Sequence, residues 1–512
     1  MNFTTQLRNN SLTNSWLKLG ILSLGLAGLY SIILVVLRTP QLSSFFPNPH
    51  IFKSALIIHV NLSVLIWLLS ITASVWSLSY PQSSMSFPRK REPILFFLDP
   101  HFRGNDILCK LASLSTLLIA ISPIAGHNPV INNYIPMLEN IIFIWGLSLF
   151  GVTLILYAIN ILYLFDWTNL NSLVNFTILS TIIMFILSFV CFGWSYNGLQ
   201  NIIEIIPIEI EFYYELLFWS GGHLLQFIYT QILIFIWVIL FRELIARELK
   251  FQKFYLFSLY LNFIFGIITI FGHVSYDIID GAFKEFYTNH MKYLGGIAPV
   301  LCLVGMGIEL VCYFHAPLCH SRESGNLEKK EWIPALAGMT SNDKVIKTTL
   351  LCSITLFLLG GLIAMNITGI NVVIPAHYHG SIVGISIACM GYSYLGINII
   401  PAGAGIQKKI LERMDSRSRG NDIKKRRNDI MSIAVYLLTF GQILHIVGLA
   451  LAGGYGVMRK DPNSVMPMSA KLLMGMMGGG GLISIVGGLM FVYICVKVMF
   501  FKSIKLEYDQ TV

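Results

Sequence analysis

Twelve long runs of apolar residues constrain this sequence more than any other feature. A helix needs roughly 20 mostly apolar residues to cross the hydrocarbon core of a bilayer, and each run is about that long. Backbone groups cannot stay unpaired in lipid, so every run is predicted to be helical. The sequence therefore predicts an all-α, polytopic membrane protein with twelve transmembrane helices, named here spans 1 to 12. Their predicted bounds are 15–38, 52–79, 107–125, 139–164, 172–195, 212–241, 254–276, 290–315, 346–368, 371–400, 431–457 and 470–500.

The composition excludes the main soluble classes. Charged residues make up 12% of the chain, about half of the roughly 25% that is usual in soluble domains. A cytosolic enzyme, a disordered scaffold and a nucleic-acid-binding domain are therefore excluded, and the lipid bilayer is the expected partner. The 8 cysteines form no CxxC pair and lie mostly in the apolar runs. We interpret them as small buried hydrophobic residues, not as a disulfide framework or a zinc site.

Basic residues predict how the chain is oriented in the membrane. Lys and Arg outnumber Asp and Glu by 35 to 26, and they gather in loops 2–3, 6–7, 8–9 and 10–11. Loops 3–4 and 5–6 contain neither Lys nor Arg. Positive residues favour the cytoplasmic side, so both termini are predicted to be cytoplasmic. Loop 4–5 is predicted to lie inside as well, although it has no basic residue.

Histidines are the most informative polar residues within the spans. Ionisable side chains inside a membrane are costly and are functional by default. His377 and His379, two residues apart on span 10, should point to opposite faces because the helix turns by about 200° between them. They cannot chelate one metal, but each can serve a separate centre as a haem ligand or can be hydrogen-bonded to a neighbouring helix. Seven histidines lie in or at the edge of spans, in the predicted outer half: His59, His223, His273, His290, His377, His379 and His445.

The order of several motifs resembles subunit I of the haem-copper oxidases. The motifs are a histidine early in span 2, WSGGHLLQF in span 6, PAHYHGSIVG in span 10 and HIVGLALAGGYGVMRK in span 11. With NNYIP at 132–136, they are most similar to the branch near the C-family oxidases and the nitric oxide reductases. The resemblance implies a twelve-transmembrane-helix, subunit I-like bundle over nearly the whole chain, in a bacterial inner membrane.

The resemblance also implies two haems. His59 and His379 would hold a low-spin haem between spans 2 and 10, and His377 would be the proximal ligand of a high-spin haem on the other face. A cationic pair suits the carboxylates of haem propionates, although such residues also reach towards a membrane interface without any ligand. The residues expected near the propionates are His445, Arg459 and Lys460.

A second metal is implied as well, namely copper or, in nitric oxide reductases, non-haem iron. His223 matches its ligand from span 6. The family has a His-His doublet at the outer end of span 7, where this sequence reads Gly272-His273, so only His273 remains. His290 in span 8 is a candidate third ligand or an ordinary interfacial histidine. Glu309, also in span 8, would either relay protons or be hydrogen-bonded within the bundle.

The implied activity is oxygen reduction at a binuclear haem/metal centre by a cytochrome c oxidase subunit I-like enzyme. Electrons would come from a cytochrome c or a partner electron-donor subunit, because the chain has no CxxCH motif of its own. Other oxidase subunits would be further partners. Three alternatives remain open: a nitric oxide reductase-like subunit, a degenerate haem protein serving electron transfer, sensing or assembly, and a secondary transporter with histidines as proton relays.

Three polar stretches of the predicted cytoplasmic loops look foreign to the bundle. Residues 99–110 read DPHFRGNDILCK and residues 415–425 read DSRSRGNDIKK, so the pattern D-x3-RGNDI recurs. These stretches resemble repeat-derived insertions, with bounds near 84–108, 319–344 and 414–428. Long surface insertions cost little in loop closure. The chain is therefore interpreted as one transmembrane domain, 1–512, with three insertions in its inner loops.

Overall fold

Twelve helices cross the bundle, which confirms the predicted fold class. A computed structural model describes residues 3–38, 50–79, 104–320, 341–369, 371–397, 418–458 and 467–508. In these ranges, 12 helices are long and apolar enough to span a membrane. The spans are Ser11–Leu37, His50–Ser79, Asp106–Ala125, Ile141–Leu164, Leu173–Ile203, Ile210–Ile245, Gln252–Ser275, Gly281–Cys312, Lys344–Met365, Val373–Gly396, Arg426–Gly454 and Met468–Met499. A short helix, Phe3–Asn9, precedes span 1.

Span 6 lies at the centre of the bundle. Its most apolar stretch is 94% buried, whereas those of spans 1 and 12 are only 28% buried. The surrounding spans pack closely where glycines meet. A side chain at Gly380 of span 10 would come within 2.7 Å of Gly360 of span 9, and one at Gly448 of span 11 within 2.7 Å of the Leu473 carbonyl of span 12. Small residues at such crossings let membrane helices approach closely.

Span 2 is interrupted by a wide turn directly after its histidine. The α-helix His50–Val60 passes into the π-helical turn Asn61–Ile66, and the α-helix Trp67–Trp76 follows. Within the turn, the Asn61 amide donates hydrogen bonds to the carbonyls of Ile57 at 3.0 Å and Pro136 at 2.9 Å. The second bond ties span 2 to loop 3–4. Single π-helical turns in α-helices are frequent at functional sites.

Loop 3–4 forms a small hairpin at the predicted outer side. Strand β1, Pro129–Val130, pairs antiparallel with strand β2, Met137–Leu138. The segment NNYIP lies between the two strands, so the hairpin presents Tyr134 to the bundle.

Spans 7 and 8 are each built from two helices that meet towards the predicted outer side. Span 7 consists of Gln252–Ile268 and the short helix Phe271–Ser275, which carries His273. Span 8 consists of the helix Gly281–Leu294 and most of the helix Ile297–His320, separated at Gly295 and Gly296. These breaks set the direction of the helix pieces that carry the histidines.

Glu309 has a structural role where the chain enters span 7. Its buried carboxylate accepts hydrogen bonds from the backbone N–H groups of Lys250 at 3.0 Å and Phe251 at 3.2 Å. It also lies 3.6 Å from the Arg247 guanidinium. A carboxylate at a helix N-terminus satisfies N–H groups that have no acceptor inside the helix. Of the two interpretations of Glu309, the structure shows hydrogen bonding within the bundle.

The predicted insertions lie mostly outside the described residues. Where they are described, at 104–108, 319–320, 341–344 and 418–428, the chain is helical and continuous with its neighbouring span. Arg459 and Lys460 also lie outside the described ranges, so their predicted place near haem propionates stays a prediction.

Candidate functional site

His59 is oriented by span 1. Its Nδ1 lies 3.0 Å from the carbonyl oxygen of Ala27 and 2.9 Å from the hydroxyl of Ser31. Because a carbonyl can only accept, Nδ1 carries the proton and Nε2 keeps its lone pair. The side chain stays partly exposed although it lies inside the bundle. A neutral imidazole held at Nδ1 in this way can act as an axial haem ligand through Nε2.

His377 is held in the same way by span 9. Its Nδ1 donates to the carbonyl oxygen of Gly360 at 2.8 Å, and the Ser381 hydroxyl lies 3.4 Å away. The bond is short because spans 9 and 10 meet at Gly360 and Gly380. Nε2 of His377 is therefore left with its lone pair, and the side chain is partly exposed.

His379 contacts a different neighbour, span 11. Its ring centroid lies 4.6 Å from that of His445, with the rings tilted by 61°. His445 in turn donates from Nδ1 to the carbonyl of Met477 in span 12 at 2.9 Å. His377 and His379 thus contact different helices, as their two-residue spacing predicts. The structure brings two of the predicted site residues, His379 and His445, into direct contact.

His223 pairs with a tyrosine from loop 3–4. Its Nδ1 lies 2.7 Å from the carbonyl of Trp219, which fixes the proton on that nitrogen. The Tyr134 hydroxyl lies 2.8 Å from both ring nitrogens. Gly222 makes room for this tyrosine, because a side chain there would overlap the Tyr134 ring. The motifs NNYIP and WSGGHLLQF therefore form one unit.

An ion pair joins the elements around this unit. The Lys284 ammonium of span 8 binds the Glu215 carboxylate of span 6 and lies 4.8 Å from the centre of the Trp219 ring. The Asn133 amide donates to the same carboxylate. We call these four residues the outer clamp. Sequence reasoning missed the clamp, since no spacing rule relates residues on three separate elements.

His273 and His290 lie close to His223 but are engaged differently. Nε2 of His273 is 2.8 Å from the hydroxyl of Ser220, one turn before His223. The buried ring of His290 packs between Phe227 and Phe286, with centroids at 5.3 and 5.8 Å. Within the described residues, neither ring nitrogen of His290 makes a well-formed hydrogen bond, although the Phe265 backbone lies nearby. A surface pocket of about 500 Å³ opens beside it.

The predicted second-metal ligands are not assembled into a metal site. In the parts of the chain that the structure describes, no three His, Cys, Asp or Glu side chains are grouped so that they could hold a metal ion. His223 and His273 instead pack against one aromatic side chain, Tyr287, which lies on the same helix as His290. Its ring centroid lies 5.2 Å from that of His223 and 6.4 Å from that of His273, and it precedes His290 by one helical turn. Sequence reasoning did not find Tyr287, because nothing local distinguishes it from other span 8 aromatics.

Comparisons with known proteins agree with this fold and its motifs. The family described as "Cytochrome C and Quinol oxidase polypeptide I" matches residues 13–490. An uncharacterised protein of Rickettsia prowazekii is 65% identical over 99% of this chain and 100% of its own length. An uncharacterised Aquifex aeolicus protein is 25% identical over 74% of this chain and 83% of its own length.

A solved structure gives the same result for the fold. The cryo-EM structure of a heme-copper terminal oxidase dimer superposes with a TM-score of 0.64 at 13% identity, over 96% of this chain and 84% of that one. Such low identity supports the fold alone, whereas the sequence match extends over nearly all twelve spans. The chain therefore belongs to the cytochrome c and quinol oxidase polypeptide I family.

Proposed function

We propose that this chain is the haem-binding subunit of a membrane oxidoreductase that reduces oxygen. His59 and His379 would hold a low-spin haem, and His377 would hold a high-spin haem on the other side of span 10. One observation carries the proposal: backbone carbonyls fix the proton of His59 and of His377 on Nδ1. Each ring therefore offers Nε2 to an iron atom.

The residues present fit two haems, and the haem-copper oxidase family generally binds haems and copper. When bound, the haems would supply one-electron transfer and an iron position open to a diatomic gas. The chain's own part is to orient the imidazoles and to keep them neutral in an apolar bundle. His445 would lie beside the low-spin haem, because its ring packs against that of His379.

The partners belong to the proposal as well. A cytochrome c or a partner subunit would donate the electrons, and other oxidase subunits would complete the assembly in a bacterial inner membrane. The alternation of loops with and without basic residues supports cytoplasmic termini. In that orientation His59, His377 and His379 lie on the side from which an external cytochrome would approach.

Haem content and a reduced-plus-carbon-monoxide difference spectrum of the purified chain test the proposal. We expect two haems per chain, one of which binds carbon monoxide. His59→Ala or His379→Ala should remove the low-spin spectrum, and His377→Ala should remove the carbon monoxide response. His127→Ala is the matched control, since that histidine bonds only to Ser54 among the contacts described. A protein without haem would contradict the proposal and favour a transporter.

The degenerate electron-transfer protein is the second candidate, and the packing around Gly272 favours it. A side chain at this position would come within 2.6 Å of the Tyr287 ring, so the position cannot supply a second ligand. This candidate predicts one low-spin haem that ignores carbon monoxide. Oxygen and nitric oxide consumption by the haem-loaded protein would then separate an oxidase, a nitric oxide reductase and an inactive relative.

A further inference from the structure

Tyr287 fills the space beside Gly272 at the outer end of span 7. A side chain built at Gly272 would meet the Cε2, Cζ and hydroxyl atoms of Tyr287, each at 2.6 Å. Tyr287 is fully buried, and Phe283 packs against it with ring centroids 5.0 Å apart. Its ring therefore cannot move aside without disturbing the packing of span 8. Position 272 is closed to a metal-ligating side chain.

Two of the three neighbouring histidines contact hydroxyl groups. The Tyr134 hydroxyl lies 2.8 Å from Nε2 of His223, the nitrogen that could face a metal. Nε2 of His273 bonds to the Ser220 hydroxyl, which lies 3.3 Å from the Ser195 hydroxyl. Among the described residues, the buried Tyr287 hydroxyl lies near Ser220 without a well-formed hydrogen bond. With His290, whose ring nitrogens make no well-formed hydrogen bond among the described residues, the potential donors are three imidazoles beside four hydroxyls, and in the described residues the three imidazoles are not grouped so that they could hold a metal ion.

We infer that spans 6, 7 and 8 hold no second-metal centre, and that a cluster of two pairs, His223 with Tyr134 and His273 with Ser220, packed around the ring of Tyr287, stands in its place. The cluster lacks the three converging nitrogen ligands that an open copper or iron site uses. Hydroxyl and imidazole groups can instead hold and pass protons. The inference does not depend on the haems, because it concerns the packing of spans 6, 7 and 8.

Metal analysis of the wild-type protein tests the inference directly. Copper, iron and haem are measured per chain on the purified protein, before and after incubation with excess Cu²⁺ and removal of loosely bound metal. We expect all iron to be haem iron and less than one tenth of a copper ion per chain. One copper or one non-haem iron that is lost in His223→Ala would overturn the inference. Metal that His223→Ala retains lies elsewhere and leaves the inference standing.

Paired variants test whether the packing of Tyr287 against Gly272 is what prevents metal binding. The double variant Gly272→His with Tyr287→Ala removes the obstruction and restores a ligand, so we expect it to take up about one Cu²⁺ per chain. Each single variant is the control and should take up none. Uptake by a single variant, or no uptake by a folded double variant, would refute the role given to Tyr287.

The readout also separates this inference from the proposed function. Haem is counted on the same samples, so a chain with haem and a stable copper ion refutes only the inference. A chain with neither haem nor copper refutes the proposed function and leaves the metal-free cluster in place. The folded state of each variant is checked by its helical circular dichroism and its elution as a single species.

Discussion

Single histidines in this protein are fixed by backbone carbonyls rather than by charged side chains. Nδ1 of His59, His377 and His445 each donates to a carbonyl oxygen of another span, at 3.0, 2.8 and 2.9 Å. A carbonyl does not titrate, so the ring that it holds keeps one tautomer over a wide range of pH. The three carbonyls belong to Ala27, Gly360 and Met477. This kind of support suits ligands that have to remain neutral in a membrane.

Gly222 should be intolerant of even a methyl group, because the Tyr134 ring occupies the space. We expect Gly222→Ala to destabilise the protein by about 1–3 kcal/mol, as overpacking commonly does. Gly193→Ala in span 5 is the control, since nothing lies within 4 Å of a side chain there. Unfolding in a denaturing detergent titration measures both. Equal losses for the two variants would contradict the close packing of Tyr134.

Sequence reasoning identified the histidines but not the groups that occupy their nitrogens. His377 and His379 contact different spans because helix periodicity already requires it. Tyr134 and Ser220 are bonded to histidines 89 and 53 positions away in the chain, and no pattern in one sequence encodes such a pairing. Gly272 was noticed as a missing ligand. What fills its space depends on the fold of span 8.

The outer ends of spans 7 and 8 show how elements set the site. The sequence predicted span 8 over 290–315, but the observed span begins at Gly281. Its first helix, GAFKEFYTNHMKYL, mixes charged and apolar residues, so a search for apolar runs passes over it. This helix nevertheless carries Tyr287, His290 and the clamp residue Lys284. The most informative part of the site thus lies on the least membrane-like helix.

Glu309 should matter for stability, because it accepts from two backbone N–H groups at the start of span 7. We expect Glu309→Ala to lower the free energy of unfolding by about 1–3 kcal/mol, the usual effect of leaving buried donors without an acceptor. Glu248→Ala is the control, since Glu248 is 85% exposed in its pair with Arg242. Turnover per haem should be unchanged. A loss of turnover with full stability would favour the proton-relay interpretation instead.

Across the whole molecule, the fold is far more predictable from sequence than the second-metal region formed by spans 6, 7 and 8. Run length and the exclusion of unpaired backbone from lipid suffice for twelve helices, and the structure has 12. The same architecture accommodates 13% identity to a heme-copper terminal oxidase. The bundle therefore keeps its fold through many changes of side chain. Whether the second-metal region can bind a metal, in contrast, depends on the few side chains that fill it.

The orientation of the bundle remains a prediction from loop charge, and reporter fusions can test it. Alkaline phosphatase joined after Ile206, in a loop without Lys or Arg, should be active because it is exported. The same fusion after Lys250, in a basic loop, should be inactive. Green fluorescent protein at the same two positions is the control and should show the opposite pattern. The reverse result at both positions would invert the topology and place the histidine layer on the inner side.

The π-helical turn in span 2 means that the two parts of this span do not share one helical phase. Each residue of an α-helix advances by about 100°, so an extra residue in the turn rotates everything beyond it by that angle. His59 before the turn can face span 1, while Trp67 beyond it packs 6.2 Å from Phe491 and Trp76 packs 6.1 Å from Tyr157. Span 2 therefore consists of two short α-helical segments whose side chains follow different helical phases. The imidazole of the first segment and the indoles of the second are therefore not positioned by one continuous α-helical phase.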